Sequence, residues 1–279
     1  MIMKSKNTIE KIEIPEAITA SIKVKSGIIL TSAFLNGKRR QFIIDSGAPG
    51  IILNSKYTEK DNTSEEKDFK GIGGGGVSFS KMINEFRWKD FKITNRKVSV
   101  IDFTHLEAAL KEKIYGLIGF KELSLFTFNI DYKTQKINLW KNFNGKQKNV
   151  KSSMDFILFH HLPVLEFTCG NVPLKFALDT GASNNVVDVS FRKKLKGKYK
   201  EGKPSSVHGA NKGSQKVSQI YIDSISSKLI TLKKVHAVLH DLSHVKQGSA
   251  EIDGLLGYEF LRKGKFAVSY SASKIYLLK

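Results

Sequence analysis

The sequence predicts a mostly β protein made of two tandem copies of one unit, and three observations carry that prediction. Short apolar or alternating segments recur between Gly, Asn and Asp turns, the pattern of strands rather than helices. The stretch Phe42-Ile43-Ile44-Asp45-Ser46-Gly47-Ala48 returns as Phe176-Ala177-Leu178-Asp179-Thr180-Gly181-Ala182. A second pair, Gly116-Leu117-Ile118-Gly119-Phe120 and Gly254-Leu255-Leu256-Gly257-Tyr258, follows in the same order.

The chain justifies the prediction in order. Residues 1–20 are polar and mixed, broken by Pro15, and suit an arm that adds a strand or stays loose. Ile22–Val24, Ile28–Leu30, Ala33, Leu35 and Phe42–Ile44 read as strands around a turn at Asn36-Gly37, placing Asp45 at a strand end. Ile51–Leu53 is apolar, and the charged run from Tyr57 to Lys70 suits a surface helix or loop. Gly71 to Gly76 then interrupts strand-like residues, as a hairpin tip does. Strands resume at Phe91–Ile93 and Val98–Ile101, with a short helix over Leu106–Glu112 and strands at Phe128–Ile130 and Ile137–Leu139. Lys141 to Ser153 is lysine-rich and non-periodic and reads as a linker.

The second half replays the first. The two aspartates lie 179 − 45 = 134 residues apart. From Gly116 and Gly254 onward the offset is 254 − 116 = 138, aligning Leu123 with Leu261, Phe128 with Phe266, Tyr132 with Tyr270 and Leu139 with Leu277. Two copies of a β-rich unit explain this, rather than a many-unit solenoid.

Composition limits the function classes. The 279 residues are 41% hydrophobic, enough for a substantial core. No run approaches the roughly 18–20 apolar residues of a membrane span. The start, Met1 to Lys6, lacks the apolar segment of a secretory signal, so a cytoplasmic location is expected, or an extracytoplasmic one if a signal peptide has been removed. The single cysteine, Cys169, excludes an intramolecular disulfide and suits a small buried hydrophobe. The net charge of +20 invites a nucleic-acid reading, but only six of the 46 cationic residues are arginine. Lysine is the poorer bidentate phosphate ligand, so the charge reads as a solvated surface and no specific nucleic acid is expected.

Other chemistries fit less well. The glycine run lacks the Gly-Lys-Ser/Thr ending of a phosphate loop, and no Gly-x-Ser-x-Gly elbow accompanies His160-His161. His236, His240 and His244 are spaced as metal ligands on a helix would be. The alternation of Val235, Ala237 and Leu239 instead puts them on a strand, facing solvent, so no metal site is expected.

The duplicated Asp-Ser/Thr-Gly-Ala turns and the paired apolar-apolar-Gly elements resemble the aspartic proteases, as a single chain whose halves each look like a retropepsin unit. The resemblance runs from about Ile22 to Leu278. It implies two acid-protease-like β-barrel lobes related by a pseudo-two-fold axis, one spanning 1–148 with 1–20 as an arm, the other 149–279. It implies an aspartic endopeptidase with Asp45 and Asp179 as catalytic residues. Two carboxylates about 3 Å apart share a proton, so one activates a water while the other donates to the scissile carbonyl. Neither metal nor cofactor is required.

By the same resemblance Ser46, Gly47, Thr180, Gly181 and Ser183 support the dyad, and glycine-rich flaps at Gly73, Gly74, Gly75 and at Gly209, Ala210, Asn211 close over an extended peptide. The first flap lacks the tyrosine of pepsin-like enzymes, which favours the retropepsin comparison. Pro49 stands where the second copy has Ser183, implying unequal support for the two aspartates. The expected partner is a peptide or protein substrate, and with both half-sites in one chain a monomer suffices. The alternative from another class is a peptide-binding or scaffolding protein that keeps the bilobal fold without catalysis.

Overall fold

The computed structural model describes residues 9–61, 64–71, 74–146, 149–203, 205–208, 214–243 and 252–279. The protein is mostly β, 55% strand against 9% helix, with a closed six-stranded barrel and a second, ring-like sheet. Around the first barrel run Ile28–Leu35, Lys38–Ile44, Gly116–Ile118, Ile52–Asn54, Phe91–Ile101 and Gly74–Trp88. It closes where Phe34 and Leu35 pair with Arg87 and Phe86. Around the second run Leu162–Cys169, Val172–Leu178, Gly254–Leu256, Val186–Asp188, Thr231–His240 and Gln219–Ser226, returning through Thr168 and Ser226. Three of these pairs, beginning at 28 and 162, 38 and 172, and 52 and 186, keep the offset of 134 set by the aspartates.

The apolar runs before each aspartate have a structural cause. Lys38–Ile44 pairs antiparallel with Ile28–Leu35 and parallel with Gly116–Ile118, and Phe42, Ile43 and Ile44 are all buried. A strand covered on both faces has no polar side to alternate with. Edge-to-face ring pairs fill both interiors, Phe42 with Phe86 at 5.4 Å and Phe167 with Phe176 at 5.8 Å. Cys169 is buried in the same core.

The two halves meet in one sheet, in the order Val150–Asp155, Lys274–Leu278, Lys265–Ser269, Thr127–Asp131, Lys136–Trp140, Ala17–Lys25. The central rungs join Phe128 to Val268 and Asn129 to Ala267. Asn129 and Ala267 are themselves equivalent by the 138-residue offset, so the pseudo-two-fold axis passes between them. Asn129 also donates its side-chain amide to the Phe266 carbonyl at 2.9 Å.

The arm adds a strand, one of the two forms expected of it: Lys11–Glu13 pairs with Phe91–Ile101. Several other segments differ from expectation. The strand expected from Ile22 begins at Ala17. The charged run after Tyr57 is neither helix nor loop throughout, because Glu66–Gly71 forms a strand against Gly74–Trp88. The 141–153 linker ends early, in strand Val150–Asp155, and the helix covers Thr104–Leu110. His236 does not face open solvent: it is half-buried, with Nδ1 3.3 Å from the Glu259 carboxylate and Nε2 3.2 Å from the Gln219 side chain. His244 lies outside the described residues. Among the described residues, no helix is long and apolar enough to cross a membrane.

Candidate active site

Each aspartate leaves its strand in the same way. The Asp45 amide donates to the Ile118 carbonyl and the Asp179 amide to that of Leu256, both at 3.0 Å, which ties each turn to its apolar-apolar-Gly element. That element ends in glycine because the turn lies on top of it. A Cβ on Gly119 would stand 2.5 Å from the Ala48 carbonyl oxygen, and one on Gly257 2.3 Å from that of Ala182. Phe120 and Tyr258 then donate their amides to those same carbonyls at 2.8 Å.

The turns grip each other across the axis. The Ser46 amide donates to Thr180 Oγ1 at 2.8 Å, and the Thr180 amide to Ser46 Oγ at 3.0 Å. Thr180 Oγ1 in turn donates to the Ile44 carbonyl at 3.2 Å. Ser46 and Thr180 are both buried, so these exchanges satisfy amides that water does not reach. Glycine follows in each turn, and the opposite carboxyl occupies the space a side chain would take. A Cβ on Gly47 would lie 2.9 Å from both Asp179 carboxyl oxygens, and one on Gly181 2.3 Å from Asp45 Oδ1.

The Asp45 and Asp179 carboxyls are thus brought together at the seam, close enough to share a hydrogen bond. Burial, then the adjacent Asp179 charge, pushes Asp45 up to about 8, against the pull of the Gly47 and Ala48 amides. Burial also raises Asp179, opposed by the Gly181 amide, the Asp45 carboxyl and His161. Such a pair holds one proton over a wide pH range and offers a base and an acid side by side.

The inequality expected from Pro49 is not found in the bonds that the two glycine amides make to Oδ1, although the Ala48 amide also acts on Asp45 and the Gly47 amide on Asp179. Asp45 Oδ1 accepts from the Gly47 amide and Asp179 Oδ1 from the Gly181 amide, each at 2.8 Å, so both contacts precede the Pro49 and Ser183 positions. Pro49 is exposed. Ser183 Oγ accepts from the Asn184 side-chain Nδ2 at 3.1 Å, and the Ser183 backbone packs against Gly27.

Gly74 and Gly75 belong to a hairpin in which Gly74 pairs with Gly71 and Gly75 with Lys70. A second hairpin joins Ser205–His208 to Ser214–Val217. Gly73, Gly209, Ala210 and Asn211 lie outside the described residues. Among the described residues there is no group of three His, Cys, Asp or Glu able to hold a metal ion.

One neighbour of the site was missed in the sequence. His161 Nε2 lies 2.6 Å from the Gly47 carbonyl oxygen, with its ring 5.6 Å from that of Phe120. The available signal was the 134-residue offset, which carries Gly27, in the first hairpin turn, onto His161.

Comparison with known proteins agrees with this geometry over part of the chain. No curated protein matches the sequence. Residues 165–260 match the family model described as aspartyl protease, a stretch that includes Asp179, Thr180, Gly181 and Gly254 to Gly257. Across most of its second half, therefore, the chain is similar to the aspartyl proteases.

Proposed function

We propose that the protein is an aspartic-type endopeptidase in which Asp45 and Asp179 act as one dyad, each contributed by one lobe, 1–148 and 149–279. The observation that supports this most is the reciprocal exchange between Ser46 and Thr180, which holds two carboxyls together at a buried seam. One carboxylate takes a proton from a water while the other, protonated, donates to the scissile carbonyl, and no covalent intermediate forms. Ser46, Thr180, Gly47 and Gly181 set the spacing, while Ser183 lines the flank of its turn. The glycine-bearing segments Gly73–Gly75 and Gly209–Asn211 serve in this reading as flaps that cover an extended peptide and exclude bulk water. The substrate is a peptide or protein, and the chain works as a monomer without metal or cofactor.

The competing role is a peptide-binding protein on the same scaffold, favoured by the burial that keeps both carboxyls from ionising easily. Cleavage of an unfolded protein between pH 3 and 8, the range of carboxylate and histidine titration, separates the two. On the first reading Asp45→Asn and Asp179→Asn each abolish cleavage, and a pepstatin-type inhibitor blocks the wild type. Wild type without activity throughout that range supports the binding role, and full activity in either variant removes the dyad.

A further inference from the structure

The two-fold symmetry of the site is broken at a pair of equivalent hairpin turns. The hairpin turns Ser26-Gly27 and His160-His161 are equivalent by the 134-residue offset, and each lies against the opposite half's aspartate loop. Gly27 presses on Ser183, where an added Cβ would stand 3.0 Å from that residue's Cα, Cβ and carbonyl oxygen. His161 instead puts an imidazole against the Gly47 carbonyl at 2.6 Å. A carbonyl oxygen only accepts, so Nε2 carries the proton in this contact.

The surroundings differ in the same sense. Behind Gly27, Tyr132 and Tyr258 meet edge-on at 5.2 Å and line a cavity of about 560 Å³ with Ser26, Ser183 and Glu259. Their equivalents on the other flank are Tyr270 and Phe120, edge-on at 5.0 Å, and there the His161 ring packs on Phe120. One flank is open and the other is filled by an imidazole.

Gly47 is the residue that lies against the Asp179 carboxyl. An imidazole holding its carbonyl therefore fixes the loop that confines Asp179, and a positive charge on that ring favours the ionised form of Asp179. The equivalent position on the other flank is Gly27, which has no side chain to do the same for Asp45. Among the described residues, the titratable and charged groups tied to this contact are Asp179, Asp45 behind Gly47, Tyr270 beyond Phe120 and His160 next in sequence, and the Phe120–Leu123 helix on which the ring packs also carries Lys121 and Glu122.

We propose that His161 is a positioning residue that makes the two aspartates unequal, assigning Asp179 as the base and Asp45 as the acid. In the step this defines, the water oxygen bonds to the scissile carbon while the water proton passes to the Asp179 carboxylate. The proton on Asp45 goes to the carbonyl oxygen as its π bond opens, which leaves a gem-diol and the single shared proton now on Asp179. This assignment rests on the endopeptidase reading.

The test is chosen to separate the two. Carboxyl carbon NMR of the full-length protein follows Asp45 and Asp179 through a pH titration in wild type, His161→Gln and His161→Phe, and needs no turnover. Asp179 is expected to lose its proton at lower pH than Asp45 in wild type. His161→Gln keeps a donor to Gly47 but removes the charge, and should move the Asp179 titration up by about half a pH unit or more. In the cleavage assay the acid limb of kcat/KM should move with it in both variants. His161→Phe, lacking the donor as well, should also lose roughly tenfold in kcat at its own optimum. Asp45 titrating first in wild type, or an Asp179 titration unmoved in folded His161→Gln, overturns the assignment whether or not the protein cleaves peptides. A moved titration in a protein with no cleavage upholds the inequality and defeats only the endopeptidase reading.

Discussion

Gly181 and Gly47 offer a graded test of how tightly the two turns must meet. Neither has a positive φ, so alanine fits the backbone at both and only the new methyl matters. At Gly181 that methyl would sit 2.3 Å from Asp45 Oδ1, which is 1.1 Å short of an ordinary 3.4 Å contact. At Gly47 it would sit 2.9 Å from both Asp179 oxygens, 0.5 Å short. The Asp45 carboxyl is held by the Gly47 amide, so relief requires either breaking that 2.8 Å bond or parting the turns. A misplacement of about 1 Å in a catalytic group costs on the order of 10²-fold, equivalent to about 2.7 kcal/mol of barrier. Gly181→Ala should therefore lower kcat/KM on an unfolded protein substrate about a hundredfold, and Gly47→Ala roughly tenfold. Thermal melting should show both variants folded. A Gly181→Ala enzyme as active as wild type, or a Gly47→Ala enzyme the more impaired, would refute the close-approach argument.

Other expectations follow from the same neighbourhood. Thr180→Val removes the acceptor for the Ser46 amide and the donor to the Ile44 carbonyl, both buried, and should cost about 1–3 kcal/mol in denaturant unfolding. If Thr180→Val unfolds with the wild-type free energy, this half of the reciprocal grip is energetically unimportant. Glu122 is buried beside Arg96, its Nη1 at 2.5 Å, with Oε2 lacking a hydrogen-bond partner among the described residues, and burial outweighs the guanidinium to raise it to about 7. The unfolded chain releases that proton near pH 4.5, and the folded chain keeps it to about 7. Stability is thus unaffected below the lower value and falls as pH rises between the two, by on the order of 3 kcal/mol. Melting curves of Glu122→Leu should lose most of that slope, and an unchanged slope would locate it elsewhere. Cys169 is 2% exposed, so a thiol reagent should modify it only at the rate of unfolding.

The parts of the fold that were legible in the sequence are those where burial imposes a pattern. Phe42-Ile43-Ile44 and Leu117-Ile118 read as strands because both faces are covered, and the offsets of 134 and 138 survived because they bind equivalent turns to equivalent supports. Glu66–Gly71 was illegible because it is an edge strand whose Glu66, Lys67 and Asp68 are exposed, so it is held by backbone pairing and shows no apolar face. Val150–Asp155 hid in a polar stretch for a similar reason: its alternation is carried by Val150, Ser152 and Met154, and its register by Lys274–Leu278. Asp45 and Asp179 announced themselves by duplication. His161 did not, because it is the residue at which the two copies diverge, and a search for what repeats passes over what has changed.

The three rungs between Thr127–Asp131 and Lys265–Ser269 have an implication for half-molecules. Because the axis runs through Asn129 and Ala267, each central strand faces a strand equivalent to itself. A fragment ending near residue 146 would present 127–131 as a bare, self-complementary edge, able to pair antiparallel with the same edge of another fragment. Such a homodimer would carry two copies of the Asp45 turn and no His161, a symmetric assembly of the kind from which a duplicated gene could build an unequal one.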